Sequence, residues 1–333
     1  MKVLVTGAAG FIGSRVIELL DEQNEIIGID NLNDYYDVSL KMARLKRINK
    51  KKNFKFLKMD LADRDSMSSL FSDEQFDIII HLGAQAGVRY SIDNPYAYID
   101  SNVIGMMNIL EGARNNPVKH LIYASSSSVY GGNTNVPFSP NDNVDHPVSL
   151  YAATKKSNEL MAHSYSNLYD IPTTGLRFFT VYGPLGRPDM AYFSFTDKIV
   201  RGEAIEVFNN GNMMRDFTYI DDVVEGIIRL IPKIPKKNHD WTDADISGSW
   251  APYRIFNIGN SSPVKLLDFI ETIEKHLGIK ANKIFKPMQP GDVQATFADV
   301  TDLERVIQFK PTTSIDMGIK KFVDWYKDYY EVY

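Results

Sequence analysis

Cysteine is absent from the 333 residues. Disulfides and thiolate metal sites are therefore excluded, and a reducing compartment is compatible. The six histidines are scattered, and none sits in a metal-ligand spacing such as H-E-x-x-H. No metal is expected. No apolar run approaches the roughly 20 residues of a membrane-spanning helix, so no membrane partner is expected. The first apolar run begins by Val3. That leaves no room for a signal peptide and makes a cytoplasmic location the expectation. Excess positive charge is also missing: the net charge is −5, which argues against a general nucleic-acid binder. The one basic cluster is Lys41, Arg44, Lys46, Arg47, Lys50, Lys51 and Lys52. It lacks interleaved aromatics, so it is expected to be a solvated helix with a basic end. There is no internal repeat.

Apolar residues make up 44% of the chain, enough for a substantial core in one large α/β unit or two lobes. Strand-like runs fall near residues 3–6, 26–30, 54–58, 77–82, 119–125 and 173–179. Helical patterns fall near 11–22, 38–50, 64–71, 95–115 and 149–169. Val16, Leu19 and Leu20 mark one apolar face of the first helix. Such alternation predicts a doubly wound parallel sheet with helices on both faces, a Rossmann-type α/β fold. The second half is less regular. Lys233 to Pro252 is polar and reads as a long loop, Ile255 to Gly259 as a further strand. From Ser262 the pattern is mainly helical, with Leu266, Phe269, Ile270 and Ile273 on one face. This part is expected to form a smaller, mainly helical C-terminal lobe closing over the sheet edge, with a pocket between the lobes.

Three motifs carry chemistry. Val3-Leu4-Val5 leads directly into Gly7-Ala8-Ala9-Gly10-Phe11-Ile12-Gly13 and a helix. Glycines there let the backbone turn tightly and approach a pyrophosphate at the positive helix N-terminus. The next strand, Ile26-Ile27-Gly28-Ile29, ends at Asp30, whose carboxylate can accept from the adenosine ribose hydroxyls. It would repel a 2′-phosphate, so NAD is expected rather than NADP. The second motif is the serine run Ser125-Ser126-Ser127-Ser128, at the C-terminal end of the strand Leu121-Ile122-Tyr123. That sheet edge holds the ligand in open α/β folds. The third is Tyr151-Ala152-Ala153-Thr154-Lys155, which puts a phenol and an ammonium on one helix face. The ammonium is expected to lower the phenol pKa and make it a base for a sugar hydroxyl. His81 is expected to be structural or close to the cofactor rather than a ligand.

Together these motifs resemble the extended short-chain dehydrogenase/reductase family, over nearly the whole chain, and most of all its UDP-glucuronate 4-epimerases. The passages that carry the narrower resemblance are Gln85-Ala86-Gly87-Val88-Arg89-Tyr90-Ser91, Ser125 to Asn133, and Thr180-Val181-Tyr182-Gly183-Pro184-Leu185-Gly186-Arg187-Pro188-Asp189-Met190-Ala191. Arg215-Asp216-Phe217-Thr218-Tyr219 and Gly291-Asp292 also fit. The resemblance implies Tyr151 as base, Lys155 as its helper and ribose ligand, and Ser126 as the third catalytic member. For the cofactor it implies the glycine turn, Asp30, Asn31, Asp60, Leu61, Leu82 and Asn102. For the sugar nucleotide it implies Arg215 at the diphosphate and Asp292 at the uridine ribose. Gln289 stands where related hexose epimerases carry arginine. An NAD-binding domain of residues 1–178 plus 219–260 and a nucleotide-sugar lobe of 179–218 plus 261–333 follow from the same resemblance.

The implied reaction removes hydride from C4 of the sugar and returns it to the opposite face. Related dehydratases and decarboxylases carry a carboxylate in the serine turn, and Ser126-Ser127-Ser128 has none. With a uronic acid the 4-keto intermediate is a β-keto acid that can lose CO₂. Thr180, Ser127 and Ser128 are suitable donors to hold its carboxylate, with Arg187 or Arg89 supplying charge-assisted bonds. A UDP-glucose or N-acetylated 4-epimerase and a non-catalytic NAD-sensing scaffold are the rival readings. Ile104, Met107, Leu160 and Met161 form an apolar face that would serve either a homodimer or the core.

Overall fold

The computed structural model describes residues 1–288 and 295–332. The first half runs β1 (Lys2–Thr6), α1 (Phe11–Leu19), β2 (Glu25–Asp30), α2 (Val38–Ile48), β3 (Phe54–Lys58), α3 (Arg64–Glu74) and β4 (Ile78–His81). Two short helices follow, α4 (Tyr90–Asp93) and α5 (Pro95–Tyr98), then a π-helical stretch Ile99–Ile104 that leads into α6 (Gly105–Asn115). Next come β5 (His120–Ser126), a 3₁₀ turn Ser127–Tyr130, α7 (Leu150–Tyr169) and β6 (Thr173–Phe178). The second half contains β7 (Thr180–Tyr182), α8 (Ala191–Val200), β8 (Ala204–Val207), β9 (Met214–Tyr219), α9 (Ile220–Leu230), β10 (Tyr253–Ile258) and β11 (Pro263–Lys265). It ends with α10 (Leu266–Leu277), β12 (Asn282–Phe285), β13 (Ala295–Thr296), α11 (Thr301–Ile307) and α12 (Ile315–Tyr329).

The main sheet has seven parallel strands in the order β10-β6-β5-β4-β1-β2-β3. Val3 pairs with Ile26 on one side and Ile78 on the other. The chain therefore reverses its winding at β1, and a crevice opens between the C-terminal ends of β1 and β4. Successive β1 residues face opposite layers. Val3 and Val5 pack with Val16, Ile17 and Val223, whereas Leu4 packs with Leu70, Phe71, Met106 and Ile109. Both faces are covered by helices, which is why these strands are continuous apolar runs. This is the doubly wound α/β fold that the alternating pattern predicts.

Three details differ from the sequence reading. On α1 the inward face is Val16, Ile17 and Leu20, and Leu19 is 41% exposed. The helix expected over 95–115 is widened at Ile99–Ile104. The C-terminal lobe is less helical than expected. A four-stranded sheet of β11, β9, β13 and β7, and a parallel β8–β12 pair, accompany α8, α10 and α12. These strands hold two to six residues each, too few for a period-2 pattern to register. One apolar core passes through both lobes, from Val3 and Val16 to Phe269, Phe322 and Tyr326. No helix of the described residues is long and apolar enough to cross a membrane.

Candidate active site

A cavity of about 830 Å³ opens along the C-terminal ends of the main-sheet strands and under the second lobe. Its floor is the glycine turn. Gly7 has φ 69°, and a Cβ there would lie 2.9 Å from the Gly83 nitrogen. A Cβ on Gly13 would lie 2.2 Å from the Gly7 carbonyl oxygen, so only glycine lets α1 seat this closely. No side chain caps the N-terminus of α1, and Gly10, Phe11, Ile12 and Gly13 all border the cavity. Free N–H groups at the positive end of a helix suit a diphosphate. At the end of β2, Asp30 accepts from Ala9 N at 3.2 Å and from Leu32 N at 2.9 Å. Each oxygen keeps a lone pair for a ribose hydroxyl. Asn31 donates to Asp60 at 2.9 Å, tying the ends of β2 and β3, and Leu61 and Leu82 line the same end. The residues present thus fit a dinucleotide.

Farther along the cavity, α7 brings Tyr151 and Lys155 to the end of β5. Ser149 starts that helix by accepting from Ala152 N at 3.1 Å. The Lys155 ammonium donates to the Ala124 carbonyl at 2.9 Å, and burial lowers its pKa to about 8. Ser126 lies close to the Tyr151 hydroxyl. Burial raises the Tyr151 pKa, against the lowering influence of Ser126 and Arg187. That corrects the expectation of a phenol already lowered by the ammonium. In the protein alone desolvation outweighs every favourable charge. Ser126 also accepts from Ser128 N at 3.1 Å, which curls the serine run toward the cavity, and Ser127 and Ser128 line it.

Thr180, at the start of β7, and Arg187 line the same cavity. Arg187 donates to both Asp189 oxygens, at 3.0 and 2.5 Å. Burial works against its charge, yet Asp189 holds its pKa above the ordinary value. Tyr35 adds a hydrogen bond to Asp189 at 3.3 Å, and burial raises that phenol to about 12. Arg89 borders the cavity beside Phe208, 5.9 Å from the ring centre.

Two expected site residues do not line the cavity, and a third lies outside the described residues. Asn102 is buried outside the cavity wall. Its carboxamide accepts from Gln85 N at 2.8 Å and donates to Gln85 O at 3.0 Å and Thr154 at 3.1 Å. It fastens the loop after β4 to α7. Arg215, on β9, is not among the lining residues and donates to the Met214 carbonyl at 2.9 Å. Asp292, with Gln289, falls outside the described residues. His81 is buried, its Nδ1 bonded to Thr6 at 2.8 Å, and burial, then Lys155, pushes its pKa down to about 3.

Other contributors were missed in the sequence. Lys41 and Arg44 of the basic cluster are buried rather than solvated. Lys41 donates to both the carbonyl and the side chain of Asn33, at 2.8 and 2.7 Å, beside the cavity. Tyr98 packs edge-on against Tyr151 at 5.9 Å between ring centres. Beneath the serines, Ser125 donates to Glu159 at 2.6 Å, and Glu159 pairs with Arg177. Asp189 stood in the quoted motif, but its grip on Arg187 is a matter of geometry.

The profile of the NAD dependent epimerase/dehydratase family matches residues 3–259. The chain belongs to this family. It is an NAD-dependent enzyme, an isomerase of the epimerase kind. It is 60% identical over 334 residues to Protein CapI of Staphylococcus aureus, covering 99% of this chain and 100% of that protein. It is 47% identical over 334 residues to a probable UDP-glucuronate 4-epimerase of Rhizobium meliloti, covering 99% of this chain and 98% of that one. Among solved structures it is similar to the UDP-glucuronic acid 4-epimerase from Bacillus cereus in complex with UDP-glucuronic acid and NAD. There the TM-score is 0.86 and the identity 32%, covering 99% of this chain and 100% of that chain.

Proposed function

We propose that this protein interconverts UDP-glucuronate and UDP-galacturonate by epimerisation at C4. The observation that carries this reading is the placement of Arg187 and Thr180 in the same cavity as Tyr151 and Ser126. A cation and a hydroxyl then face the place where a proton is exchanged. The serine turn without a carboxylate supports epimerisation rather than dehydration.

In this reading NAD, when bound, supplies the acceptor and donor of the C4 hydride. Tyr151 takes the proton of the 4-hydroxyl at its phenol oxygen and later returns it, with Ser126 sharing the hydrogen bond. Lys155 holds a positive charge one helical turn away. Thr180, Ser127, Ser128 and the Arg187 donors not engaged by Asp189 restrain the sugar carboxylate, with Arg89 at the rim. Arg215 and Asp292 serve the uridine diphosphate, and residues 179–218 with 261–333 form the lobe that takes it. Asn102 acts through Gln85 and Thr154 rather than by touching the cofactor. Ile104 and Leu160 are exposed on neighbouring helices, and we infer that they meet a second copy of the chain. Light scattering would show the dimer.

The test is incubation of the purified protein with UDP-glucuronate and chromatography of the products. UDP-galacturonate is expected. One observation favours a second reading: Asp189 already engages two Arg187 donors, which lessens the attraction for an anionic sugar. Turnover of UDP-glucose or a UDP-N-acetylhexosamine at a higher kcat/KM than UDP-glucuronate would establish that reading instead.

A further inference from the structure

Arg44 is fully buried in α2, and its guanidinium makes five hydrogen bonds. Nη1 donates to the Ala9 carbonyl at 3.0 Å and to the Tyr36 hydroxyl at 2.6 Å. Nε and Nη2 donate to the Leu185 carbonyl at 3.0 and 2.7 Å, and Nη2 also reaches the Gly186 carbonyl at 3.1 Å. Ala9 belongs to the glycine turn. Leu185 and Gly186 immediately precede Arg187. One rigid fork therefore clamps the loop that cradles the dinucleotide to the loop that presents the substrate-lobe arginine.

Two further facts bear on what this clamp does. All four acceptors are neutral, and no carboxylate among the described residues forms an ion pair with Arg44. A buried cation without a countercharge is costly, so an anion arriving at the glycine turn favours Arg44 in place. Leu185 has φ 59°, a left-handed conformation unusual for a branched residue, and its carbonyl is the one gripped twice. Release of Arg44 would let that turn relax.

We propose that Arg44 is a positioning residue that transmits occupancy of the dinucleotide site to the loop of residues 183–190, setting Arg187 in place before the sugar nucleotide binds. Its consequence for a uronate rests on the substrate reading above. The coupling itself does not.

The test is hydrogen–deuterium exchange with NAD alone, on the full chain freed of nucleotide and on the variants Arg44→Met and Arg44→Lys. In the wild-type protein, saturating NAD should slow exchange in both 7–13 and 183–190, the second by about fivefold or more, the scale of ordinary coupling between sites. In both variants 7–13 should still be slowed at saturating NAD, whereas 183–190 should exchange at the same rate with and without it. Lysine keeps the charge but cannot bridge the two loops, so it separates clamp from charge. It also decides the matter alone should the methionine variant fail to fold. Equal protection of 183–190 in wild type and variant would overturn the proposal, as would a wild-type response confined to 7–13. No substrate enters this measurement, so failure of the UDP-glucuronate assay leaves its outcome readable.

Discussion

The Arg177 guanidinium lies against the Glu159 carboxylate, Nε to Oε1 at 2.9 Å and Nη2 to Oε2 at 3.0 Å, with at most 2% of either side chain exposed. Glu159 is one helical turn beyond Lys155 and two beyond Tyr151 on α7. The same carboxylate accepts from Ser125, next to Ser126. The pair thus locks α7 to β5 and β6 at the level of the reacting groups. Breaking a buried pair by removing one partner costs about 3–5 kcal/mol. Glu159→Ala should lower the urea midpoint accordingly. In Glu159→Gln a smaller stability loss should accompany a larger drop in kcat than change in KM, because Ser126 and Tyr151 drift apart. Equal kcat in a folded Glu159→Gln protein would show the pair to be structural only.

Tyr151→Phe should keep the ring in contact with Tyr98 and remove the proton acceptor. Turnover should fall about 10²- to 10⁴-fold, with NAD still bound. Retained nucleotide and single-turnover rate are the measurements, and near-normal turnover would eliminate Tyr151 as the base.

The buried Lys155 has a pKa of about 8 against an ordinary 10.5, so the folded protein binds its proton less tightly than the unfolded chain does. The sign follows: the fold is penalised below pH 8, and the penalty disappears between pH 8 and 10.5. Lys155→Met removes it. The penalty amounts to about 3 kcal/mol at neutral pH, offset by about 1 kcal/mol for the lost bond to Ala124. The mutant should therefore be more stable than wild type at pH 6.5, and the advantage should vanish by pH 10.5, while turnover is lost. A stability difference independent of pH would contradict a charged Lys155 in the fold.

Arg187→Ala and Thr180→Val test the restraint on the sugar carboxylate. If these groups hold it, the 4-keto intermediate in the mutants should lose CO₂, releasing a UDP-4-keto-pentose and leaving reduced nucleotide on the protein. A charge-assisted hydrogen bond is worth about 1.5–3 kcal/mol, so partitioning should shift roughly ten- to hundredfold. The ratio of CO₂ to UDP-galacturonate and the absorbance of bound NADH give the answer. Slower mutants without decarboxylation would move the restraint to Ser127, Ser128 or Arg89.

The parts of the site visible in the sequence are those fixed by local geometry. Gly7 to Gly13, Asp30, the serine run and Tyr151 each sit at the end of a strand or the start of a helix, and a parallel sheet gathers such ends at one edge. What stayed hidden depends on partners distant in sequence. Lys41 and Arg44 look like a solvated face because the carbonyls that bury Arg44 come from Leu185 and Gly186, 141 and 142 positions away. The charge of Arg177 inside the buried strand β6 is accounted for only by Glu159, 18 positions earlier. The family resemblance points to Asn102 for the cofactor, but its carboxamide is engaged by Gln85 and Thr154. The small strands β7, β11 and β13 are recruited by β9 rather than by their own composition.

The wide turn at Ile99–Ile104 sets a phase. A π turn holds about one residue more than an α turn, which rotates everything after it by about 100° relative to an unbroken helix. Tyr98, ahead of it, can therefore face Tyr151 while Met106, Ile109 and Leu110, behind it, face the sheet. Unbroken α winding would turn the two sets of side chains by about 100° relative to one another. A single-residue deletion within 99–104 would restore ordinary winding and force a choice between the aromatic wall of the cavity and the layer beneath β1. In this segment, chain length is as much a determinant of the site as residue identity.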